Sequence, residues 1–265
     1  MPAIDLARLR KQANRLADFF FLPEDFIRNL REILDFYVNR TLRKQEEIAP
    51  GSNLPTYRTP IVVMRQIENG IGALATENPH YALELADLLW DEGYSETRLL
   101  AAFLLGRIPP QEERLLARLT AWAQQVRDPS VRGALLTTSL ARMRKETPDE
   151  FLIVLGEWLH PARQRLWPNG IQALLPMVTD PNFENLPPIF ELVHPIIEAA
   201  PGALQTDLGN LINALYRASP SETVYYLREI LEKSSNPLTT VTLRRILTTF
   251  PPELQDSLRE LVRKK

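Results

Sequence analysis

The chain has 265 residues, of which 45% are apolar and 24% are charged, and these values are typical of a folded globular protein. It contains no cysteine, and its three histidines lie far apart, so the sequence predicts neither a disulfide nor a metal site, and no cofactor. No apolar run reaches the ~18 residues of a membrane span, and the first residues lack the basic-then-apolar order of a signal peptide. We therefore expect a cytoplasmic protein without membrane association.

The first two predicted helices run from Ile4 to Phe20 and from Pro23 to Lys44. A loop from Ile48 to Tyr57 follows, because Pro50-Gly51-Ser52-Asn53 is a strong turn signal. This loop separates an N-terminal helical cap, residues 1–47, from the remaining segment, residues 58–265.

Prolines then mark a series of helix starts, several of them 19 or 20 residues apart. They are Pro60, Pro79, Pro110, Pro129, Pro148, Pro161, Pro181, Pro201, Pro220, Pro237 and Pro251. Most follow a residue whose side chain can cap a helix: Thr59, Asn78, Asp128, Thr147, Asp180, Ser219 and Asn236. Proline at the first helical position sacrifices no hydrogen bond, and the capping oxygen satisfies a free N–H. The long gap after Pro79 is divided by Gly93-Tyr94-Ser95-Glu96, a further turn and cap.

The spacing of these starts predicts the fold. A helix about every 19 residues gives a two-helix unit of ~38 residues, close to the ~40–47 residues of HEAT and armadillo repeats. We predict an all-α, right-handed α-solenoid of about six helix pairs, continuous with the cap as one domain and monomeric. The sequence Trp167-Pro168-Asn169-Gly170 should kink or split one helix of the series.

Charge alternates along the chain although its net value is only −2. Residues 68–96 carry seven acidic residues and no basic one, whereas residues 97–145 carry nine basic residues against three acidic ones. Most basic residues are arginine, which suits bidentate contacts to phosphate. One interpretation of the basic segment is a groove that follows a phosphate backbone. The other is that these side chains solvate outer helix faces and pair with their acidic neighbours.

The common catalytic motifs are missing. There is no glycine-rich phosphate loop, no Gly-x-Ser-x-Gly and no His-Glu-x-x-His. The adjacent carboxylates Asp149 and Glu150 follow Thr147-Pro148 and are explained by capping of a helix start. The four tryptophans stand at helical spacing among leucines, which favours core positions over base stacking.

The order of several segments resembles a known family. Tyr57-Arg58-Thr59-Pro60 opens a helix carrying Arg65, a later helix ends Ala86-Asp87-Leu88-Leu89-Trp90-Asp91, and Glu96-Thr97-Arg98-Leu99-Leu100-Ala101-Ala102 follows. Leu208-Gly209-Asn210-Leu211, Tyr216-Arg217-Ala218-Ser219-Pro220 and Tyr226-Leu227 continue the pattern. Together they resemble the HEAT-like DNA alkylation repair glycosylases. The resemblance implies a helical-repeat fold that acts on duplex DNA carrying cationic alkylated purines.

The resemblance also implies a catalytic set that this sequence does not match. The family stabilises the departing cationic sugar with an aspartate and two tryptophans. Its Trp-Trp-Asp segment falls on Val126–Gly133, where the tryptophans are absent and the aspartate position falls near Arg132 or Gly133. Asp128 lies one turn earlier as a helix cap, and the second tryptophan falls near Asn210. An arginine facing an oxocarbenium ion has the wrong sign for catalysis.

We therefore predict a non-catalytic HEAT-like repeat protein that binds nucleic acid, with duplex DNA as the expected partner, on a concave basic face. The candidate phosphate contacts are Arg58, Arg65, Arg98, Arg127, Arg132, Arg163, Arg165, Arg217, Arg244 and Arg245. The alternative is a scaffold that binds a protein partner and uses the acidic residues Glu84, Asp87, Asp91 and Glu92. A weaker alternative is an active N-alkylpurine glycosylase that uses Asp128 or Glu157.

Overall fold

The computed structural model describes residues 4–38, 48–49, 52–199 and 201–247, together with Phe250, Pro252, Gln255 and Leu258. These residues form helices, turns and loops and contain no β-strand, which confirms the all-α prediction. The chain divides into two compact units, residues 1–147 and residues 148–265.

The first unit contains eight α-helices within the described residues. They are α1 (Leu6–Ala17), α2 (Pro23–Phe36), α3 (Ile61–Glu77), α4 (Pro79–Asp91), α5 (Ser95–Leu105), α6 (Glu113–Gln125), α7 (Pro129–Thr137) and α8 (Ala141–Glu146). Helix α1 packs on α3, α2 on α4, α3 on α5, and α5 on α7, so helices contact the next element but one as well as their neighbours. In α3, Val63, Met64, Ile67 and Ile71 recur at helical spacing and are fully buried.

The second unit contains six α-helices and two short 3₁₀ helices within the described residues. The α-helices are α9 (Pro148–Leu159), α10 (Trp167–Val178), α11 (Pro187–Ala199), α12 (Gln205–Ala218), α13 (Pro220–Lys233) and α14 (Pro237–Leu247). The 3₁₀ helices are Pro161–Leu166 and Gly202–Leu204. Helix α9 packs on α10 and α11, α12 packs on α10, α13 and α14, and α11 packs on α13 and α14. Fully buried side chains such as Phe151, Leu155, Ile171 and Ile189 form its core.

Most of the predicted helix starts are confirmed. Helices begin at Pro79, Pro129, Pro148, Pro161, Pro220 and Pro237, and α5 begins at Ser95. Pro60 and Pro201 immediately precede the first helical residue instead of occupying it. The prediction is wrong for Pro110 and Pro181, which lie in turns that precede Glu113 and Pro187, the first residues of α6 and α11. Pro251 lies outside the described residues.

The capping prediction is only partly confirmed. Asp128 accepts the Val131 N–H, and the side chain of Asn236 accepts the Leu238 N–H. Asn78 and Ser219 make no side-chain cap, and the Asn78 amide instead donates to the Leu74 carbonyl.

The remaining boundary predictions are shifted. The first two helices are shorter than predicted, and residues 39–47, which include the predicted end at Lys44, lie outside the described residues. The predicted break near Pro168 lies before that residue, because Arg163 has non-helical angles and α10 begins at Trp167 with Pro168 in its first turn.

Candidate nucleic-acid interface

Asp128 ties the start of α7 to the loop that precedes α3. Its side chain is 4% exposed and accepts the Val131 N–H at 2.9 Å, the Asn53 N–H at 2.6 Å and the Ser52 hydroxyl at 2.8 Å. A carboxylate has about four lone-pair sites, and three donors of the chain itself occupy most of them.

These bonds also set the charge of Asp128. Burial alone would raise the pKa of its carboxyl, but the hydrogen bonds from Val131, Asn53 and Ser52, together with the nearby Ser130 N–H, outweigh burial, and the pKa is lowered from its ordinary value. The group is therefore a carboxylate at neutral pH, and it acts as a cap and an anchor.

A second buried carboxylate, Glu96 in the first turn of α5, holds the next part of the same loop. It is fully buried and accepts the hydroxyls of Thr56 (2.8 Å) and Ser95 (2.8 Å) and the N–H groups of Tyr57 (3.2 Å) and Thr59 (3.2 Å). The two carboxylates fix residues 52–59 against the N-terminal ends of α5 and α7. The sequence analysis named Glu96 only as part of a turn and cap, since its partners Thr56, Tyr57 and Thr59 lie 37–40 residues away in the chain.

Two candidate arginines flank Asp128. Arg127 is exposed and makes no hydrogen bond or ion pair within the described residues. Arg132 is half-buried, and its Nε is enclosed without a hydrogen-bond partner in the described part of the chain. At the N-terminal end of α7, two positive charges therefore lie near a carboxylate whose oxygens already accept hydrogen bonds.

The other candidate arginines of the first unit are more constrained. Arg58 is half-buried in the anchored loop and has a positive φ of 55°. The Arg98 Nε donates to the Trp90 carbonyl at 3.2 Å, and its guanidinium lies 4.8 Å from the Trp90 ring, which stacks on Trp122. Arg65 is exposed on α3 and lies near Glu68.

Glu68 was missed by the sequence analysis. Burial raises the pKa of its carboxyl, and the charges of Arg65 and Arg107 oppose that rise without cancelling it. Glu68 therefore lies close to two arginines, Arg65 on the same helix and Arg107 in the turn after α5.

Most of the remaining bases in residues 97–145 are bonded within the protein. Arg118 makes a bidentate pair with Asp87 at 2.7 and 2.5 Å, and Arg142 pairs with Glu146 at 2.8 Å. Arg144 donates to the Leu136 and Thr137 carbonyls at the end of α7. Pairing with protein groups, the second interpretation of the basic segment, therefore accounts for a large part of it.

The candidates of the second unit lie on three of its elements. Arg163 pairs with Glu157 at 3.1 Å, and both side chains are at least half exposed. Arg165 and Arg217 are exposed and have no partner among the described residues. Arg244 and Arg245 are exposed in the last turn of α14.

The positions that the resemblance assigned to aromatic catalytic residues hold other side chains. Asn210 is exposed on α12. All four tryptophans are buried, with exposed fractions of 7% (Trp90), 7% (Trp122), 2% (Trp158) and 3% (Trp167), which confirms them as core residues.

The described residues contain no group of three or more metal-ligating side chains, and none of their helices is long and apolar enough to cross a membrane.

The helices and the anchored loop define an all-helical protein in which the unpaired charges of the described residues include Arg127 and Arg132, near the hydrogen-bonded Asp128 carboxylate. A family model described as DNA alkylation repair enzyme matches residues 52–247, and the chain belongs to that family. The match begins at Ser52, the first residue of the loop that bonds Asp128. No curated protein and no solved structure matches the chain.

Proposed function

We propose that this protein is a HEAT-like helical-repeat protein that binds duplex DNA through arginine side chains without cleaving a glycosidic bond. Membership of the DNA alkylation repair family supports a DNA-related role. Phosphate contacts need cationic side chains and place no demand on a catalytic acid.

The packing within each unit supports the repeat fold. In a two-layered helical repeat, each helix packs on the next helix and on the next but one, since equivalent helices of successive repeats stack. The pairs α1–α3, α2–α4 and α3–α5 have this relation in the first unit, and α9–α11, α10–α12 and α11–α13 have it in the second. We propose that the arrangement is a right-handed solenoid of about six helix pairs.

The observation that carries the functional proposal is the contrast between Asp128 and its neighbours. Three donors from the chain hold the Asp128 carboxylate as a cap and an anchor, and the residue is only 4% exposed, so little of it is accessible to a cationic sugar. Arg127 and Arg132 beside it are positively charged and lack ion-pair partners within the described residues. These two positive charges attract a polyanion and repel an oxocarbenium ion.

Fluorescence anisotropy of a labelled duplex, measured at several salt concentrations, tests the proposal. Counterion release predicts a log–log slope of about −0.9 for each phosphate contacted. The double variant Arg127→Ala/Arg132→Ala should weaken binding to all sequences alike and reduce the slope by about two.

A matched control removes the same charge elsewhere. Arg28→Ala/Arg114→Ala deletes two exposed arginines that are already paired with Asp25 and Glu112. This control should leave the slope unchanged. An equal loss in both double variants would mean that only net charge matters, and absence of binding at low salt would refute the proposal.

The weaker alternative, an active N-alkylpurine glycosylase, is tested with the same protein. We expect no free alkylated base to be released from methylated duplex DNA. Release of the base by the wild type that is abolished by Asp128→Asn, or by Glu157→Gln, would support the glycosylase alternative and identify its catalytic acid. Glu157 is exposed, and its carboxylate pairs with Arg163.

A groove in the first unit favours a second candidate function, a protein-binding scaffold. The groove has a volume of about 520 Å³ between the start of α2 and α4 and combines exposed Phe21, Leu22 and Leu88 with carboxylates that include Glu84 and Asp87. Apolar side chains ringed by acids suit a basic amphipathic partner. No DNA binding at any salt concentration would favour this candidate over the first.

A further inference from the structure

The second unit contains an open cavity between α11 and α13 that the proposed DNA contacts do not use. Its volume is about 580 Å³, and its lining includes three aromatic rings, Phe190, Tyr225 and Tyr226. Three carboxylates, Glu191, Glu222 and Glu229, line the same cavity.

The helical spacing of α13 builds one wall. Glu222, Tyr225, Tyr226 and Glu229 stand at positions i, i+3, i+4 and i+7, which places them on one face of the helix. Two aromatic side chains therefore lie between two acidic ones along this wall.

The aromatic part of the cavity is preorganised. The Tyr226 hydroxyl donates to the Phe190 carbonyl at 3.0 Å, and the two ring centroids lie 4.5 Å apart. Burial, followed by the charges of Glu229 and Glu198, raises the pKa of Tyr226, so its hydroxyl stays protonated and keeps this bond. Tyr225 is 71% exposed, which is unusual for a tyrosine and leaves its ring available to a ligand.

The charges around the rings are not balanced. Glu191 and Glu222 are exposed and form no ion pair within the described residues. Glu229 pairs with Lys233, and His194 lies 3.8 Å from Glu198. No lysine or arginine is among the lining residues of the cavity, so its field is negative.

This combination selects one class of ligand. Carboxylates repel phosphates and favour cations, and aromatic rings attract cations through their negative faces. A bare divalent metal prefers an all-oxygen shell and gains nothing from three rings. An alkylated ammonium, which has a positive charge within an apolar shell, uses both kinds of lining group.

We infer that the cavity between α11 and α13 is a binding site for an alkylated ammonium group. The group belongs either to a free small molecule or to a methylated lysine of a protein, and both present the same chemistry. The inference does not depend on DNA binding, since the acidic lining excludes nucleic acid from this surface.

Isothermal titration calorimetry with choline and with its neutral isostere 3,3-dimethylbutan-1-ol tests the charge requirement. Choline should bind, and the isostere should bind at least tenfold more weakly. A peptide carrying trimethyllysine separates the two sources, with the same peptide carrying leucine as its control. If the methylated peptide binds more tightly than choline, the site is assigned to a protein side chain. If the methylated peptide and choline bind with equal affinity, the site is assigned to the small molecule.

Variants locate the binding site. Tyr225→Ala should raise the Kd for choline by about fivefold through loss of one ring, and Glu191→Gln/Glu222→Gln should raise it by about tenfold at low salt. Glu150→Gln removes an exposed carboxylate in the first turn of α9 and should leave the Kd unchanged. The duplex titration should be unaffected by Tyr225→Ala, so failure of either proposal is recognised separately. Any of three results would overturn the inference. The first is equal binding of choline and its isostere, and the second is no binding of choline or the methylated peptide. The third is an unchanged Kd for choline in Tyr225→Ala and Glu191→Gln/Glu222→Gln.

Discussion

At the scale of single residues, Asp128 stabilises the fold as a buried carboxylate that accepts hydrogen bonds from backbone and hydroxyl donors. Replacing it by asparagine keeps the size but places an NH₂ group against donors that Asp128 now accepts. Asp128→Asn should lower the free energy of unfolding by about 1–3 kcal/mol. Urea titration at neutral pH measures this difference.

The same residue predicts a pH dependence. Its pKa is lower in the folded protein, so its contribution is complete above its unfolded pKa of about 3.9 and is lost as the pH falls through the folded value. The stability difference between the wild type and Asp128→Asn should therefore shrink below about pH 4. A difference that stays constant down to pH 2 would contradict this role for the carboxylate.

Arg58 provides a test that separates backbone conformation from charge. Its φ of 55° is unfavourable for any residue with a Cβ and most of all for a β-branched one. Arg58→Gly and Arg58→Val both remove the guanidinium, so they should weaken duplex binding to the same extent. Their stabilities should differ by about 2 kcal/mol in favour of glycine.

Thermal unfolding of the two Arg58 variants and their anisotropy titrations provide both measurements. Equal stabilities would mean that the loop relaxes to a negative φ. Unequal DNA affinities would mean that loop conformation, and not the charge alone, positions the contact.

At the residue scale, the sequence predicted only the contacts whose partners lie close together along the chain. The cap of α7 follows from Asp128-Pro129, because its acceptor and donor lie three residues apart. The bonds from Ser52 and Asn53 to the same carboxylate span 76 and 75 residues, and no local pattern encodes them. Arg127 and Arg132 were predicted to contact DNA phosphates, and these contacts stay a prediction.

At the scale of helices, the recurring prolines predicted most helix starts correctly. It failed at Pro110 and Pro181, where the proline begins a turn and the helix follows several residues later. Proline fixes its own φ near −65°, and this value suits a turn as well as a first helical turn. The choice between them depends on which following side chains find a core, which is a tertiary property.

Gly106 allows the end of α5 to approach the turn between α7 and α8. A Cβ at this position would lie 2.4 Å from the Thr138 carbonyl oxygen, which is backbone and cannot move aside as a side chain can. The approach is fixed by the Ser139 hydroxyl, which donates to the Ala102 carbonyl at 2.8 Å. Gly106→Ala should therefore destabilise the protein by about 2 kcal/mol or more.

A control for the Gly106 variant uses a glycine with open surroundings. A Cβ at Gly202 would meet no atom within 4 Å, so Gly202→Ala should change the stability by less than about 1 kcal/mol. Circular dichroism melting curves compare the two variants. A Gly106→Ala protein as stable as the wild type would show that the turn at residues 138–139 shifts at little cost.

At the scale of the whole molecule, charge counting along the sequence left two interpretations of residues 97–145. Pairing within the protein accounts for part of the segment, and the phosphate-following groove stays a prediction. Arg118, Arg142 and Arg144 are bonded within the protein, whereas Arg127 is exposed and unpaired within the described residues. Sequence position does not distinguish Arg118 and Arg144 from Arg127, because their partners come from other helices, whereas Arg142 pairs with Glu146 on its own helix. Helix packing therefore decides which charges stay available to a ligand.

The burial of all four tryptophans predicts which nucleic acid the protein prefers. Single-strand binding draws about 1–3 kcal/mol per base from stacking on exposed rings, and the tryptophans are at most 7% exposed. Tyr225 is exposed, but Glu222 and Glu229 beside it repel a phosphate backbone. Affinity should therefore follow phosphate density, which is higher in a duplex.

A competition experiment measures this preference. Unlabelled duplex should displace the labelled duplex at lower concentration than a single strand with the same number of nucleotides, and tryptophan emission should stay unchanged throughout the single-strand titration. Steeper salt dependence for the duplex is expected as well, since the slope per phosphate is about −0.9 for a duplex and about −0.7 for a single strand. Tighter single-strand binding with quenched tryptophan emission would mean that a buried ring becomes accessible to bases, and the phosphate-tracking mechanism would then be wrong.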